Sequence, residues 1–148
     1  MSKLLIYYSL SGNGDLVAET LKERGFDVRK VEPKKKPPKA FFLQILACGF
    51  AAGVGRKEPL SDFDGDVSAY DTVVIGSPVW NGRLSCPINT VLAQTDLSGK
   101  ALTFVLYSGG GEAKKAEQQI AARFPQAAVI HLKEPKKYSE QLSRLAKL

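Results

Sequence analysis

The chain alternates between short apolar runs and amphipathic segments. The apolar runs are rich in β-branched and aromatic residues and too short for helices, which is typical of buried strands. The predicted strands span residues 3–8, 26–31, 73–75, 101–107 and 127–132. The predicted helices span residues 13–24 and 112–123, another begins at Pro87, and a last one runs through Tyr138, Leu142 and Leu145. Strands that alternate with helices, several of them apolar on both faces, predict an α/β fold: a doubly wound, five-stranded parallel sheet with helices on both faces.

One segment interrupts this alternation, between the second and third predicted strands. Residues 33–39 contain three prolines and four lysines, cannot be helical and are typical of a solvated linker. Residues 40–52 then predict an extra helix that is apolar around most of its circumference, although a bilayer span needs about 20 residues. Such a helix must be covered by the body of the protein, a ligand, a membrane or a second subunit. A homodimer through residues 40–52 is one such arrangement.

Composition places the chain among single-domain globular proteins. Its 148 residues, 44% hydrophobic and 24% charged, predict one domain over residues 1–148. No basic and apolar leader precedes the first strand, so we expect a cytoplasmic protein with no transmembrane segment. Cys48 and Cys86 lack the spacing of a disulfide framework or metal cluster and are expected to be buried thiols. His131 stands alone in a predicted strand, and no metal site is expected.

The net charge of +6 is concentrated in one segment. Residues 29–57 hold eight Lys or Arg against one Glu, 8 − 1 = +7, which leaves 6 − 7 = −1 for the rest of the chain. A solvated linker explains this charge run best. Attachment to acidic lipid is the alternative, at about 1 kcal/mol per basic residue. Nucleic acid is not expected as a partner, because the aromatic residues of the segment lie in its apolar helix rather than among the lysines.

Three loops rich in glycine and serine follow predicted strands 1, 3 and 4, and carboxyl ends of parallel strands share one edge of a sheet. The first consists of Ser9, Leu10, Ser11, Gly12, Asn13 and Gly14. Backbone N–H groups and hydroxyls at a helix N-terminus favour anions, and a loop without Lys or Arg suits a phosphate monoester. The alternative is a tight turn with a Ser or Asn helix cap. Dinucleotide and P-loop fingerprints do not fit, since Val17 replaces the third glycine and no Gly-Lys-Ser or Gly-Lys-Thr follows.

The second loop carries the most specific sequence of the three. The second consists of Ser77, Pro78, Val79, Trp80, Asn81 and Gly82, and the third of Ser108, Gly109, Gly110 and Gly111. Taken alone, the second loop is also compatible with an ordinary turn beside a half-buried tryptophan. The third is also compatible with a flexible connection between a strand and a helix. Their common position at one edge of the sheet is stronger evidence for a binding site than either loop alone.

On these loops the chain resembles the flavodoxin-like family of FMN proteins over nearly its whole length. Ser9–Gly12 matches the family's phosphate-binding loop, whereas Gly14 stands where a last hydroxyl residue is expected and acidic Asp15 follows. Ser77–Trp80 resembles the Ser/Thr-Pro-x-Trp/Tyr loop of the branch that contains small flavodoxin-like oxidoreductases. The resemblance implies FMN as the cofactor and the strand order 2-1-3-4-5.

The resemblance also implies a role for each loop. The first loop would hold the FMN phosphate. Trp80 would offer a flat apolar surface to the flavin ring, and Asn81-Gly82 would bring backbone to its N5, with Gly82 free to adopt positive φ. Ser108, Gly109 and Gly110 would lie along the pyrimidine edge. The predicted cofactor-binding residues are therefore Ser9, Leu10, Ser11, Gly12, Asn13, Gly14, Ser77, Pro78, Val79, Trp80, Asn81, Gly82, Ser108, Gly109 and Gly110. No residue is predicted to act as a nucleophile or general acid.

The function so implied is electron transfer by FMN, either as a carrier or as a small oxidoreductase. Its partner would be a redox protein or a small-molecule acceptor, with NAD(P)H as a candidate donor. Flavodoxin carriers are usually acidic, whereas this chain is basic, and Arg83 beside the second loop would raise the reduction potential of a nearby flavin. The alternative is a binding or regulatory module that keeps the fold and has lost the flavin, which Gly14 and Asp15 suggest.

Overall fold

The computed structural model of the chain describes residues 2–34 and 60–148. The predicted apolar helix at 40–52 and residues 35–57 of the basic segment lie outside these ranges. The extra helix, and a dimer formed through it, therefore stay predictions. Within the described ranges, no helix combines the length and the hydropathy that crossing a bilayer requires.

A parallel sheet forms the centre of the fold. The strands are β1 (Lys3–Tyr7), β2 (Asp27–Lys30), β3 (Glu32–Pro33), β4 (Leu60–Ser61), β5 (Thr72–Trp80), β6 (Arg83–Leu84), β7 (Ala101–Ser108) and β8 (Ala128–Lys133). Five of them pair in parallel in the order β2-β1-β5-β7-β8. The short β6 pairs antiparallel with the end of β5, and β3 pairs antiparallel with β4. The predicted α/β fold with a five-stranded parallel sheet is thus confirmed.

Helices cover both faces of the sheet. They are α1 (Asn13–Glu23), α2 (Cys86–Gln94), α3 (Lys114–Arg123) and a 3-10 helix (Ser139–Lys147). Side chains alternate along β1, so that Leu4 and Ile6 join a core cluster with residues of α2 and α3, while Leu5 and Tyr7 join a second cluster with residues of α1 and the 3-10 helix. The core residues supplied by the helices are Ile88 and Val91 of α2, Ala116 and Ile120 of α3, Val17 and Leu21 of α1, and Leu145.

Where a predicted strand or helix has an observed counterpart, the bounds agree within one or two residues, apart from the third predicted strand. The last helix is a 3-10 helix, and the short β3, β4 and β6 were not predicted. The third predicted strand was expected at residues 73–75 but extends over Thr72–Trp80, because β7 continues beside it and pairs Pro78 with Tyr107. A proline is tolerated there, since β1 ends at Tyr7 opposite Gly76 and leaves that side of β5 without a strand neighbour. The extension carries part of the second loop on a strand rather than on a free turn.

Candidate functional site

The three loops predicted from the sequence lie at the carboxyl edge of the parallel sheet. Tyr7 of β1 is in register with Gly76 of β5, and Pro78 of β5 is in register with Tyr107 of β7. The N–H of Tyr8 donates to the carbonyl of Gly76 at 3.1 Å, and the Tyr107 hydroxyl donates to the carbonyl of Tyr8. We call residues 9–14, 77–82 and 108–111 together the three-loop edge.

The Ser9 side chain organises the first loop from inside. Its Oγ accepts hydrogen bonds from the N–H of Gly12 at 3.1 Å and from the N–H of Gly14 at 3.0 Å. Gly12 has φ of +95°, a left-handed conformation that favours glycine. Because both bonds use the lone pairs of Ser9 Oγ, its hydroxyl proton remains available to an external acceptor. Ser9 therefore holds the loop in shape and still offers one donor.

Other backbone donors of the loop are free. Within the described residues, the N–H groups of Ser11, Asn13 and Asp15 make no intramolecular hydrogen bond, and α1 has no side-chain N-cap. Ser11 is exposed, and Asn13 is half-buried. Free N–H groups at the N-terminus of a helix favour an anion, because the helix dipole adds to their partial positive charge.

Asp15 is held on the side of the loop that faces β1 and β2. Its Oδ1 accepts a hydrogen bond from the Tyr7 hydroxyl at 2.8 Å and lies 3.0 Å from Nζ of Lys30. Burial, reinforced by the bond to this carboxylate, raises the pKa of Tyr7 well above its usual range. The carboxylate that follows the phosphate-type loop is thus paired with a cation and a phenol, which lowers its repulsion of an anion in the loop.

The structure explains why position 14 is a glycine rather than a residue with a hydroxyl side chain. A Cβ at this position would lie 2.5 Å from Oη of Tyr107 and 2.8 Å from Cβ of Ser9. Tyr107 is fully enclosed, and its burial raises the pKa of its hydroxyl. The space that a threonine or serine would take is therefore filled by a tyrosine from β7.

A lysine from the other end of the chain completes the surroundings of the first loop. The N–H of Lys136 donates to Oδ1 of Asn13 at 2.9 Å, and its Nζ donates to the carbonyl of Ser11 at 3.2 Å. Ser11, Asn13, Glu134, Lys136 and Lys137 line a cavity of about 280 Å³. Lys136 was missed by the sequence analysis, although Glu134-Pro135-Lys136-Lys137 follows the fifth strand and so leaves the sheet at its carboxyl edge.

The second loop turns back on itself through two left-handed residues. Asn81 has φ of +50° and Gly82 has φ of +76°, so the expected positive φ of Gly82 is confirmed. The turn joins β5 to β6, and Trp80 pairs with Arg83. The carbonyl of Gly82 accepts a hydrogen bond from the N–H of Ala116 at 3.0 Å, which fixes the turn to the first residues of α3.

Trp80 lies in the core rather than on an open surface. Its side chain is 7% exposed, and its ring meets Tyr8 edge to face, with centroids 5.5 Å apart and an interplanar angle of 85°. The half-buried side chains of Leu10 and Val79 pack against the same cluster. The extended β5 carries Trp80 into the core cluster that also contains residues of α2 and α3.

Ser77 also points inward. It is completely buried, and its Oγ lies 3.0 Å from Oγ of Ser85 and accepts the N–H of Ser85 at 3.1 Å. The pair links the end of β5 to the residue that precedes α2. Ser77 therefore supports the second loop from inside, with its side chain buried against Ser85.

The third loop is open. Oγ of Ser108 accepts the N–H of Gly111 at 2.9 Å, and the carbonyl of Ser108 accepts the N–H of Glu134 at 3.0 Å. Gly109 and Gly110 are exposed, and no described atom lies within 4 Å of a Cβ built on either. The turn at residues 134–137 therefore contacts both the first and the third loop.

The predicted site residues fall into three groups by exposure. Ser11, Asn81, Gly109 and Gly110 are exposed; Ser9, Leu10, Gly12, Asn13, Pro78, Val79, Gly82 and Ser108 are half-buried; Gly14, Ser77 and Trp80 are buried. Within residues 2–34 and 60–148, no group of three or more potential metal ligands gathers, and His131 Nε2 lies 2.6 Å from Oε1 of Glu117. The three-loop edge thus presents backbone donors and hydroxyls, with Lys136 beside its first loop.

Comparison with known proteins gives one family and several similar folds. The family model described as NADPH-dependent FMN reductase matches residues 12–135. An inferred flavoprotein from Bacteroides eggerthii has a TM-score of 0.74 and 22% identity, over 98% of each chain. A flavoprotein from Lactobacillus acidophilus, in complex with FMN, has a TM-score of 0.67 and 20% identity, over 95% of this chain and 97% of that one. Oxidised flavodoxin 2 from Bacillus cereus has a TM-score of 0.50 and 18% identity, over 99% of each chain.

Proposed function

Because the chain belongs to the NADPH-dependent FMN reductase family, whose match covers residues 12–135, we propose that it binds FMN at the three-loop edge and transfers electrons through it. The resemblance to flavodoxin-like FMN proteins is confirmed by that match and by the similar flavoprotein folds. When bound, FMN supplies the redox chemistry, and the protein supplies binding, orientation and electrostatics.

The proposal depends mainly on the unpaired backbone N–H groups of the first loop. The N–H groups of Ser11, Asn13 and Asp15 have no acceptor within the described chain. The Asp15 carboxylate accepts a hydrogen bond from Tyr7 and forms an ion pair with Lys30. An unpaired set of donors at the start of a helix fits a phosphate group. The residues present therefore fit the phosphate end of FMN, despite the absence of a hydroxyl side chain at Gly14.

The other two loops would hold the remainder of the cofactor. The left-handed turn at Asn81 and Gly82 is fixed by Ala116, so its backbone is held at one position. Gly109 and Gly110 leave open space where a Cβ would otherwise stand, which lets a planar group approach the backbone. The side chains of Ser77 and Trp80 support this surface from inside, and no described residue is proposed as a nucleophile or general acid.

NADPH is the electron donor that we propose, because the family description names it. The acceptor that we propose is either a small molecule or a redox partner protein. We also propose that residues 1–148 form a single domain, which would pass electrons to either acceptor.

An FMN titration of the purified protein tests the proposal. Binding should quench free flavin fluorescence and give the absorbance at ~450 nm that is a property of the cofactor. NADPH added without air should then bleach that absorbance, and NADH serves as the comparison. A protein that neither contains nor binds FMN overturns the proposal, whereas FMN binding without bleaching by NADPH overturns only the donor.

Two leucine variants sharpen this test. Gly109→Leu adds a side chain where no described atom lies within 4 Å, so it should block the flavin without disturbing the fold. Ala122→Leu adds a side chain at an exposed position of α3 and is the matched control. We expect Gly109→Leu to weaken FMN binding at least tenfold and Ala122→Leu to leave it unchanged.

One observation favours the alternative, a module that has lost flavin binding. Trp80 is 7% exposed and does not offer its ring face to a ligand. Since Trp80 is the one tryptophan of the sequence, its emission reports on this point directly. FMN bound at the three-loop edge should quench Trp80 emission in a saturable way, and the alternative predicts no saturable quenching.

A further inference from the structure

We infer that Lys136 supplies the cationic contact to the FMN phosphate, from the turn that follows β8 rather than from the first loop. This inference rests on the proposed function and names a residue that the loop motif does not contain. Lys136 reaches the loop twice: its N–H donates to Oδ1 of Asn13 at 2.9 Å, and its Nζ donates to the carbonyl of Ser11 at 3.2 Å.

The ammonium group of Lys136 lies beside the free donors of the loop. A Cβ built on Gly12 would be 3.7 Å from Nζ of Lys136, so the ammonium borders the left-handed residue that precedes α1. Ser11 and Asn13, whose N–H groups are unpaired in the described chain, line the same cavity of about 280 Å³ as Lys136. A phosphate in this cavity would accept from the backbone and from Nζ together.

The charge of Lys136 is not neutralised by a neighbour. In the described ranges no carboxylate lies within 4.0 Å of its Nζ, and its acceptor is a neutral carbonyl. Glu134 and Lys137 also line the cavity, with opposite charges, and the nearest acid of the loop, Asp15, is bound by Lys30. An ammonium paired only with a carbonyl gains a stronger, charge-assisted partner when a phosphate dianion arrives.

The turn that carries Lys136 is held firmly enough to position it. The N–H of Glu134 donates to the carbonyl of Ser108 at 3.0 Å, and the carbonyl of Glu134 accepts the N–H groups of Lys137 and Tyr138, both at 2.8 Å. Because these bonds involve backbone, they remain when the Lys136 side chain is changed. The inference can therefore be tested by side-chain substitution alone.

The test compares FMN with riboflavin, which lacks the phosphate. Lys136→Met should weaken FMN binding about tenfold, the size of one charge-assisted hydrogen bond, and leave riboflavin binding unchanged. Lys136→Arg should retain most of the FMN affinity. Lys22→Met is the matched control. Lys22 is exposed in the last turn of α1, about 13 Å along the helix axis from Asn13 in the first loop.

A second measurement separates a phosphate contact from support of the turn. The ³¹P resonance of bound FMN should titrate at higher pH in Lys136→Met than in the wild type, because removing a cation disfavours the dianion. Lys136→Gln repeats the comparison if the methionine variant does not fold.

The outcomes distinguish the two proposals. FMN binding by the wild type with unchanged affinity in Lys136→Met overturns the role of Lys136 and leaves the proposed function standing. An equal loss for FMN and riboflavin also overturns it, since it shows a merely structural role. A wild-type protein that binds neither flavin overturns the proposed function and this inference together.

Discussion

The hydroxyl of Tyr107 occupies the space into which a side chain at Gly14 would grow. A Cβ at Gly14 would lie 2.5 Å from Tyr107 Oη, far inside van der Waals contact. The hydroxyl cannot move away freely, because it donates to the carbonyl of Tyr8 and is fully buried. Packing against Tyr107 and Ser9 therefore leaves no room for a larger side chain at Gly14.

A hydroxyl residue introduced at position 14 should consequently destabilise the protein without improving FMN binding. Gly14→Thr should lower the free energy of unfolding by about 1–3 kcal/mol, as overpacking of a well-filled site does, and should not tighten FMN binding. Urea denaturation and FMN titration measure the two effects.

A double-mutant cycle assigns the cost to Tyr107. In a Tyr107→Phe background the oxygen at 2.5 Å is gone, while Cβ of Ser9 at 2.8 Å and Cζ of residue 107 at 2.9 Å remain, so Gly14→Ala should cost less than it does in the wild type but should still cost stability. Equal costs in the two backgrounds would show that the clash does not involve the hydroxyl.

The pairing of Asp15 with Lys30 predicts opposite effects of two single substitutions. Lys30→Met leaves the Asp15 carboxylate with only the Tyr7 hydroxyl and should weaken FMN binding about threefold, whereas Asp15→Asn should tighten it by a similar factor. Riboflavin binding should not change, since it carries no phosphate. The double variant should return to the wild-type affinity, and both effects should shrink as salt is added.

A weakening of FMN binding by Asp15→Asn would contradict this account. It would mean that the carboxylate contributes to the shape of the loop more than to its charge. Thermal unfolding of the three variants provides the control, because an exposed ion pair contributes little to stability.

The sequence predicted the sheet and its helices because each depends on a local period. Alternating burial along β1 and apolar spacing along α1 are visible within a few residues, and the three loops follow from the rule that parallel strands end at one edge. The extension of β5 was not predictable, since Gly76-Ser77-Pro78 is typical of a turn and only pairing with β7 keeps it extended.

Long-range contacts account for the other differences. The N–H of Lys136 meets Asn13 across a separation of 123 residues, and Gly14 meets Tyr107 of another strand. A single sequence gives the residue types at such positions but not which pairs touch. For the same reason, the inward orientation of Trp80 and Ser77 could not be derived from their motif, although the motif correctly indicated the edge of the sheet.

The raised pKa of Tyr7 predicts that the folded protein loses stability at alkaline pH. Burial and the bond to Asp15 raise its pKa in the folded state. The phenol of the unfolded chain ionises at about pH 10, where the folded one stays protonated. The stabilisation is complete below the unfolded pKa and is lost as the pH rises above it. Urea midpoints between pH 8 and 11 should fall more steeply for the wild type than for Tyr7→Phe.

Asp15→Asn separates the two causes of this shift. It removes the negative acceptor and keeps the burial, so its pH dependence should lie between those of the wild type and Tyr7→Phe. Tyr107, whose pKa is also raised, contributes a slope of the same sign that remains in all three proteins. Identical slopes for the wild type and Tyr7→Phe would show that the pKa of Tyr7 is not raised in the folded state.

The buried pair of Ser77 and Ser85 should contribute to stability more than to flavin contact. Ser77 Oγ accepts the N–H of Ser85 at 3.1 Å and lies 3.0 Å from its hydroxyl, with both residues fully buried. Ser77→Ala removes both interactions and leaves a buried N–H without this acceptor, at a cost of about 1–3 kcal/mol in the free energy of unfolding. Ser85→Ala keeps the N–H bond and should cost less.

Because the two hydroxyls are partners, the double variant should cost less than the sum of the single ones. FMN binding by Ser77→Ala, measured where the variant is still fully folded, should remain within about threefold of the wild type, since this side chain supports the second loop from inside. A loss of FMN binding far beyond that, with little loss of stability, would show that the Ser77 hydroxyl turns outward to the cofactor. In that case the serine of the Ser-Pro-x-Trp sequence would act on the flavin directly, and the brace between β5 and α2 would form only in the absence of the ligand.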